Sequence, residues 1–146
     1  MALDVTRRYA TDVAWYPREI MPGVGGTVME VGAYLGHKTM RFVDEVVGPR
    51  GHVLAVEMMP DNCEVLHRNV VENGLDAVID EFAGGVWSGD GEQPVKGAGR
   101  QRNTLAELAK LPVQMGISVP TFSLDTLVER WGRPVVDFVL LTVNGA

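Results

Sequence analysis

Cysteine is nearly absent from this chain, since Cys63 is its only one. A single thiol cannot form an internal disulfide, which is typical of a protein in a reducing, intracellular setting. Cys63, His52 and His67 also lack the spacing of a closed zinc site, so no metal is predicted. No run approaches the ~18 apolar residues of a membrane span, and the first residues lack the apolar core of a signal peptide. These absences predict a cytoplasmic protein with no membrane contact.

Positive charge is also scarce: 13 Lys and Arg face 19 Asp and Glu, and the formal net charge is −6. Nucleic-acid binding needs clustered Lys and Arg, which the chain lacks. Apolar residues make up 46% and charged residues 22%, which excludes a disordered or collagen-like chain. With no internal repeats, residues 1–146 are predicted to form a single globular domain.

The stretch 27–36 organises the first half of the chain. An apolar strand over 27–31 leads into a turn bracketed by Gly32 and Gly36, and apolar spacing predicts a helix over 37–47. The charged and aromatic residues before it, 4–21, are expected to form helical turns over the core.

A second strand–helix unit follows at once. It comprises a short apolar strand over 52–57 and a helix that begins at Pro60 and stops at Asn73-Gly74. Two such units in succession predict a right-handed parallel crossover. A third strand over 77–83 contains acidic residues that favour a sheet edge.

The second half of the chain has weaker signals. Glycine and polar residues over 84–103 predict a hairpin-like excursion or a mobile loop, and a capping-box spacing predicts a helix over 104–110. Ser123 is expected to cap a helix that ends at Gly132. The run 135–143 is the most strand-like in the chain, and we expect it to be buried.

Glu57 ends the second strand and makes the glycine turn a candidate cofactor site. In a doubly wound sheet, an acid at this point lies beside the first glycine turn and can accept hydrogen bonds from a ribose diol. A nicotinamide dinucleotide favours Gly-x-Gly-x-x-Gly, whereas this chain has Tyr34 at the middle position and the acidic Glu30 before the turn. S-adenosylmethionine carries an ammonium and a sulfonium and no phosphate, so an acidic turn suits it better.

Several segments, taken in order, resemble the FkbM-type class I methyltransferases. They are MEVGAYLGHKT (29–39), VGPRGHVLAVE (47–57), NVVENG (69–74), GVWS (85–88), and LDTL (124–127) followed by VDFVLLTVNGA (136–146). The resemblance covers most of the chain from about residue 16. It implies an α/β, Rossmann-like class I methyltransferase fold, with a mostly parallel sheet flanked by helices. It also implies O-methylation, or less readily N-methylation, of a small molecule or sugar with S-adenosylmethionine as cofactor.

The resemblance also assigns the cofactor site residue by residue. Glu57 would hold the ribose, Met58 would flank the adenine, and Val86 and Trp87 would lie near the adenine edge. The methionine end would be lined by Glu30, Gly32, Ala33, Tyr34 and Gly36.

The end of the chain departs from the family pattern. The family's last motif reads Lys-x-Asp-x-Glu-Gly-Ala, whereas this chain has neither the lysine nor the carboxylates there, and Tyr34 replaces a common Asn. The remaining catalytic candidates are Thr142 and Asn144, which can orient a substrate, and His37, which can shuttle a proton or only cap its helix. The family fold has further strands, so we expect a chain truncated after its fourth strand, or a homo-oligomer that covers the exposed sheet edge.

Two other functions stay open at this point. One is an NAD(P)-dependent oxidoreductase domain, disfavoured by the glycine spacing around Tyr34. The other is a non-catalytic nucleotide-binding or interaction module, favoured by the missing carboxylates.

Overall fold

A computed structural model of the chain describes residues 16–97, 103–105, 116–133 and 135–143. Within these ranges the protein has an α/β architecture, in which a parallel four-stranded sheet is flanked by helices. This arrangement is compatible with the predicted Rossmann-like fold. No helix in these ranges is both long enough and apolar enough to cross a membrane.

The strands of the main sheet are β1 (Thr27–Val31), β2 (His52–Glu57), β3 (Ile79–Ala83) and β8 (Phe138–Leu141). Their order is β3-β2-β1-β8, and every neighbouring pair is parallel. β1 and β2 have the predicted bounds, and β3 lies at an edge as its acidic residues indicated. The register places Met29 opposite both Leu54 and Val139.

Helices cover both faces of this sheet, and their ends follow local sequence signals. α1 (His37–Phe42) and α2 (Pro60–Glu72) contribute to the core cluster on one face, while α3 (Leu124–Trp131) packs on the other. The Ser123 hydroxyl accepts a hydrogen bond from the Thr126 amide, as expected of a helix cap. The predicted starts and stops of α2 and α3 are therefore confirmed.

The first helix is shorter than the predicted 37–47. Its α-helical part ends at Phe42, and a π-helical turn over Val43–Val47 and a 3-10 turn over Gly48–Arg50 follow. Val43 and Val47 stay buried in this wider turn, and the Val47 carbonyl accepts a hydrogen bond from the Gly25 amide. The burial of these two valines and the hydrogen bond to Gly25 stabilise the wider turn in place of a regular α-helix.

A second, smaller sheet occupies the region that the sequence left least defined. Its strands are β4 (Gly85–Val86), β5 (Gly91–Gly97), β6 (Asn103–Leu105) and β7 (Ser118–Phe122). Their order is β4-β7-β5-β6, and β5 is antiparallel to both neighbours. Of the two alternatives predicted for this region, the hairpin-like excursion is therefore confirmed. The helix predicted over 104–110 is wrong at its start, because Thr104 and Leu105 pair with β5; residues 106–110 lie outside the described ranges.

The last strand is shorter and more exposed than expected. The predicted strand over 135–143 is reduced to Phe138–Leu141, and β1 is its only partner strand among the residues that the structure describes. Leu140 is buried, but Val139 and Leu141 are 43% and 54% exposed, because they lie on the opposite face at the edge of the sheet. The expectation of a fully buried strand is therefore wrong.

The region before β1 is described only in part. Of the helical turns predicted over 4–21, the structure describes a 3-10 turn at Arg18–Ile20, and residues 4–15 lie outside the described ranges. Asn144 also lies outside them.

Candidate functional site

The predicted glycine turn lies at the carboxyl edge of the sheet, between β1 and α1. The amides of Gly32 and Ala33 both donate to the Val56 carbonyl, at 2.8 and 3.0 Å, which fixes the start of the turn to β2. Gly32 has φ +85°, and a Cβ on it would lie 2.2 Å from the Thr142 carbonyl oxygen. Glycine is required here by the backbone conformation and by the close approach of the chain after β8.

The end of the same turn packs against α2. Gly36 has φ +87°, and a Cβ on it would lie 2.6 Å from Leu66. The Asn69 side chain, buried on α2, donates a hydrogen bond of 2.9 Å to the Leu35 carbonyl. The segment 69–74 was singled out in the sequence, but the contact of Asn69 with the turn was not predicted; its position one helical turn after Leu66, on the buried face of α2, was the available signal.

Glu57 lies directly behind the turn and is almost completely buried. Its Oε2 accepts a hydrogen bond of 2.8 Å from the Tyr34 amide. Its Oε1 accepts from the Met59 amide at 2.9 Å and from the Asn62 side chain at 3.2 Å. The carboxylate therefore joins the glycine turn to the first turn of α2, a link that the sequence predicted only as proximity.

Tyr34 occupies the middle of the turn in an unusual conformation. Its φ is +56°, and it is the only non-glycine residue with positive φ among the described residues. Its ring stacks on the His37 imidazole, with centroids 6.3 Å apart and planes 20° apart. His37 is half-buried, and burial lowers its pKa, so the imidazole is predominantly neutral at pH 7.

Glu30 is a second buried carboxyl at this edge. It projects to the α1 face of the sheet, where the Thr39 hydroxyl donates a hydrogen bond of 2.6 Å to its Oε2. Burial raises the pKa of Glu30 to about 7, with a smaller contribution from Glu57; the Thr39 bond and the charge of Lys38 act in the opposite direction. Glu30 therefore titrates near neutrality, and the site can lose one of its two negative charges.

The residues assigned to the adenine end separate into two clusters. Met58 and Trp87 pack on one apolar cluster, built by Met59 at the start of α2 and by Val95 and Val119 of the second sheet. Val86 instead belongs to the cluster under α3. The structure thus brings Met58 and Trp87 to the same cluster and leaves Val86 in a different one.

Thr142 lies beside the turn, immediately after β8. Its side chain is exposed, and its amide donates a hydrogen bond of 2.8 Å to the Val31 carbonyl. His37 begins α1 across the same turn. Thr142 and His37 are the two catalytic candidates that the structure describes, and they lie at the same edge of the sheet as Glu57.

The sequence matches no protein-family model, and a search of the curated proteins finds no match. The described residues include no group of three or more His, Cys, Asp or Glu side chains arranged to hold a metal ion. The functional proposal below therefore depends on the residues and geometry of this edge.

Proposed function

We propose that the protein is an S-adenosylmethionine-dependent methyltransferase that acts on an oxygen of a small molecule or sugar. One observation carries the proposal: the buried Glu57 carboxylate is hydrogen-bonded to the amide of Tyr34 in the glycine turn, at the carboxyl edge of a sheet with the order β3-β2-β1-β8. In open α/β sheets, ligands bind at this edge where the strand order reverses, here between β1 and β8.

The chemistry of the edge supports S-adenosylmethionine. Two carboxyls, Glu30 and Glu57, lie on adjacent strands behind the turn, which favours a ligand with an ammonium and a sulfonium over one with a pyrophosphate. On this proposal Glu57 accepts from the ribose, Met58 and Trp87 border the adenine, and the turn and Glu30 line the methionine end. The shared cluster of Met58 and Trp87 supports the adenine assignment.

The bound cofactor supplies an electrophilic methyl group on its sulfonium. The chain's task is to hold the acceptor oxygen in line with that methyl group, and positioning of this kind accounts for a large part of such catalysis. The exposed Thr142 hydroxyl, beside the turn, can orient the acceptor by a hydrogen bond. Burial lowers the pKa of His37, at the start of α1, so its imidazole is neutral and has a ring nitrogen that can receive the acceptor's proton.

A non-catalytic binding module is the second candidate. It is favoured by the end of β8, where the described residues Thr142 and Val143 provide no carboxylate or amine. A dinucleotide oxidoreductase has less support, because Tyr34 fills the middle of the turn and Glu30 adds negative charge where a pyrophosphate would approach.

Ligand binding tests the proposal. We expect S-adenosylhomocysteine, measured by calorimetry and thermal shift, to bind in preference to NAD. At a concentration ~100 times its dissociation constant, the ligand adds ~2.7 kcal/mol to the free energy of unfolding and raises Tm by several degrees. Glu57→Gln is expected to abolish this shift, whereas Glu64→Gln, the same change at an exposed position of α2, is expected to retain it.

Two outcomes contradict the proposal. A folded protein that binds NAD and not S-adenosylhomocysteine belongs to the oxidoreductase class. A protein that binds S-adenosylhomocysteine but transfers no labelled methyl group to any of a panel of hydroxyl-bearing small molecules and sugars supports the non-catalytic module.

A further inference from the structure

Tyr34 has a backbone conformation that its side chain disfavours. A left-handed φ of +56° is readily adopted by glycine and tolerated by Asn, but it is uncommon for an aromatic residue. Strained backbone of this kind persists only where the surroundings impose it, and it concentrates at functional sites.

The surroundings that impose it are hydrogen bonds on both sides of the residue. Before Tyr34, the amides of Gly32 and Ala33 are bound to the Val56 carbonyl. After it, the Gly36 amide donates to the Ala33 carbonyl at 2.9 Å. Between these bonds the Tyr34 amide is directed at Glu57 Oε2, 2.8 Å away.

This amide determines which acceptor position of Glu57 is left for a ligand. A carboxylate has about four lone-pair sites. Within the described part of the chain, Oε1 accepts from two donors, Met59 and Asn62, and Oε2 accepts from Tyr34. One lone pair of Oε2 is left, and its direction is set by the Tyr34 amide.

We propose that Tyr34 is a positioning residue, whose backbone amide orients Glu57 so that the remaining lone pair of Oε2 accepts a hydrogen bond from a cofactor ribose hydroxyl. The inference rests on the proposed function and deepens it. The residue acts through the left-handed conformation of its backbone, so its effect depends on how readily a side chain permits that conformation.

The experiment ranks substitutions by that preference. Tyr34→Gly and Tyr34→Asn permit the left-handed conformation, Tyr34→Ala permits it less, and the β-branched Tyr34→Val least; Tyr34→Phe tests the phenol hydroxyl alone. Calorimetry measures dissociation constants for S-adenosylhomocysteine and for its 2′-deoxy and 3′-deoxy analogues. The readout is the ratio of the dissociation constant of the weaker deoxy analogue to that of S-adenosylhomocysteine. A general loss of folding weakens the binding of both compounds and leaves this ratio unchanged.

We expect the wild type and the Phe, Gly and Asn variants to bind S-adenosylhomocysteine ~tenfold or more tightly than the weaker deoxy analogue. This ratio corresponds to the loss of one hydrogen bond to a charged group. The Ala variant should discriminate as the wild type does, because alanine tolerates the left-handed conformation no less than tyrosine, and the Val variant should bind all three ligands alike. Discrimination that survives in Tyr34→Val, or that is lost in the Gly and Asn variants as well, overturns the proposal.

A measurement without ligand separates this inference from the proposed function. Amide hydrogen exchange at residue 34 should be slow in the wild type and in Tyr34→Gly, and fast in Tyr34→Val and in Glu57→Ala, which removes the acceptor of the Tyr34 amide. Fast exchange in the wild type overturns the positioning role whatever the ligand. Slow exchange without S-adenosylhomocysteine binding contradicts both the proposed function and the ribose contact inferred from it, and leaves the Tyr34–Glu57 bond as purely structural.

Discussion

The carbonyl oxygen of Thr142 lies 2.2 Å from the position that a Cβ would take on Gly32. The residue after the last described strand therefore contacts the turn after the first one. The Thr142 amide strengthens the same contact by donating to the Val31 carbonyl at 2.8 Å. A candidate substrate-orienting residue and the candidate cofactor turn are thus held together by backbone contacts alone.

We expect Gly32→Ala to destabilise the protein by roughly 2 to 5 kcal/mol. About 1 to 2 kcal/mol comes from the left-handed conformation and about 1 to 3 kcal/mol from the forced displacement of the Thr142 backbone. Gly74→Ala is the matched control, because Gly74 has φ +66° but no atom within 4 Å of the added Cβ. The difference between the two variants in free energy of unfolding, measured with urea, gives the contribution of the Thr142 contact. Equal losses of free energy would show that this contact does not affect stability.

The parts of the fold that the sequence predicted are those with local causes. β1 is a short apolar run between Gly26 and Gly32, and β2 is one that begins after Gly51 and ends shortly before Pro60. α2 begins at a proline, and α3 lies between Ser123 and Gly132. Each of these signals acts within one turn of the chain, so it can be interpreted without knowing the partners.

The parts that could not be predicted depend on distant partners. Thr104 and Leu105 match a capping box, but pairing with Lys96 and Val95 of β5 makes them a strand. The exposure of β8 follows from its edge position, which no property of residues 135–143 reveals. The candidate site shows the same division: Glu57 was predicted from its place after a strand, whereas the bond to Tyr34 requires the folded turn.

Glu30 predicts a stability that decreases as pH rises. Its pKa is about 7 in the folded protein against 4.5 for an ordinary glutamate, so the folded state binds the proton more tightly. Its contribution is fully present below pH 4.5 and is lost as pH rises towards 7, a change of about 3 kcal/mol. Urea unfolding from pH 4.5 to 8 should show this loss relative to Glu30→Gln, which does not titrate.

Thr39→Val provides the second arm of this test. The Thr39 hydroxyl stabilises the charged form of Glu30, so its removal should raise the pKa of Glu30 further and extend the loss of stability to higher pH. A difference between the wild type and Glu30→Gln that stays constant over this range would contradict the assignment of Glu30 as a buried, titrating carboxyl.

Adjacent leucines of β8 should respond very differently to truncation. Leu140 is 9% exposed in the core cluster shared with α1 and α2, whereas Leu141 is 54% exposed on the other face. Leu140→Ala should cost about 2 to 4 kcal/mol, and Leu141→Ala less than about 1 kcal/mol. Thermal unfolding of the two variants measures the contrast. Similar losses at both positions would mean that the outer face of β8 is covered in solution.

His52 and Arg133 predict a pH dependence of the opposite sign to that of Glu30. An Arg133 guanidinium nitrogen lies 2.7 Å from His52 Nδ1, and because Arg can only donate, Nδ1 must be the acceptor of a neutral imidazole. Burial lowers the pKa of His52 and the Arg133 charge lowers it further, while Asp80 opposes the shift. The stabilising contribution is therefore present above pH 6.5 and is lost as pH falls, when protonation places two cations together.

His52→Asn tests this contact, because the Asn side-chain oxygen can accept from Arg133 and does not titrate. We expect the wild type to lose stability relative to His52→Asn as pH falls below 6.5, measured by urea unfolding at fixed ionic strength. Arg133→Met should weaken that loss, since it removes the guanidinium that makes protonation unfavourable. If Arg133→Met leaves the pH dependence unchanged, burial alone governs His52, and the contact that joins the end of α3 to the start of β2 is independent of pH.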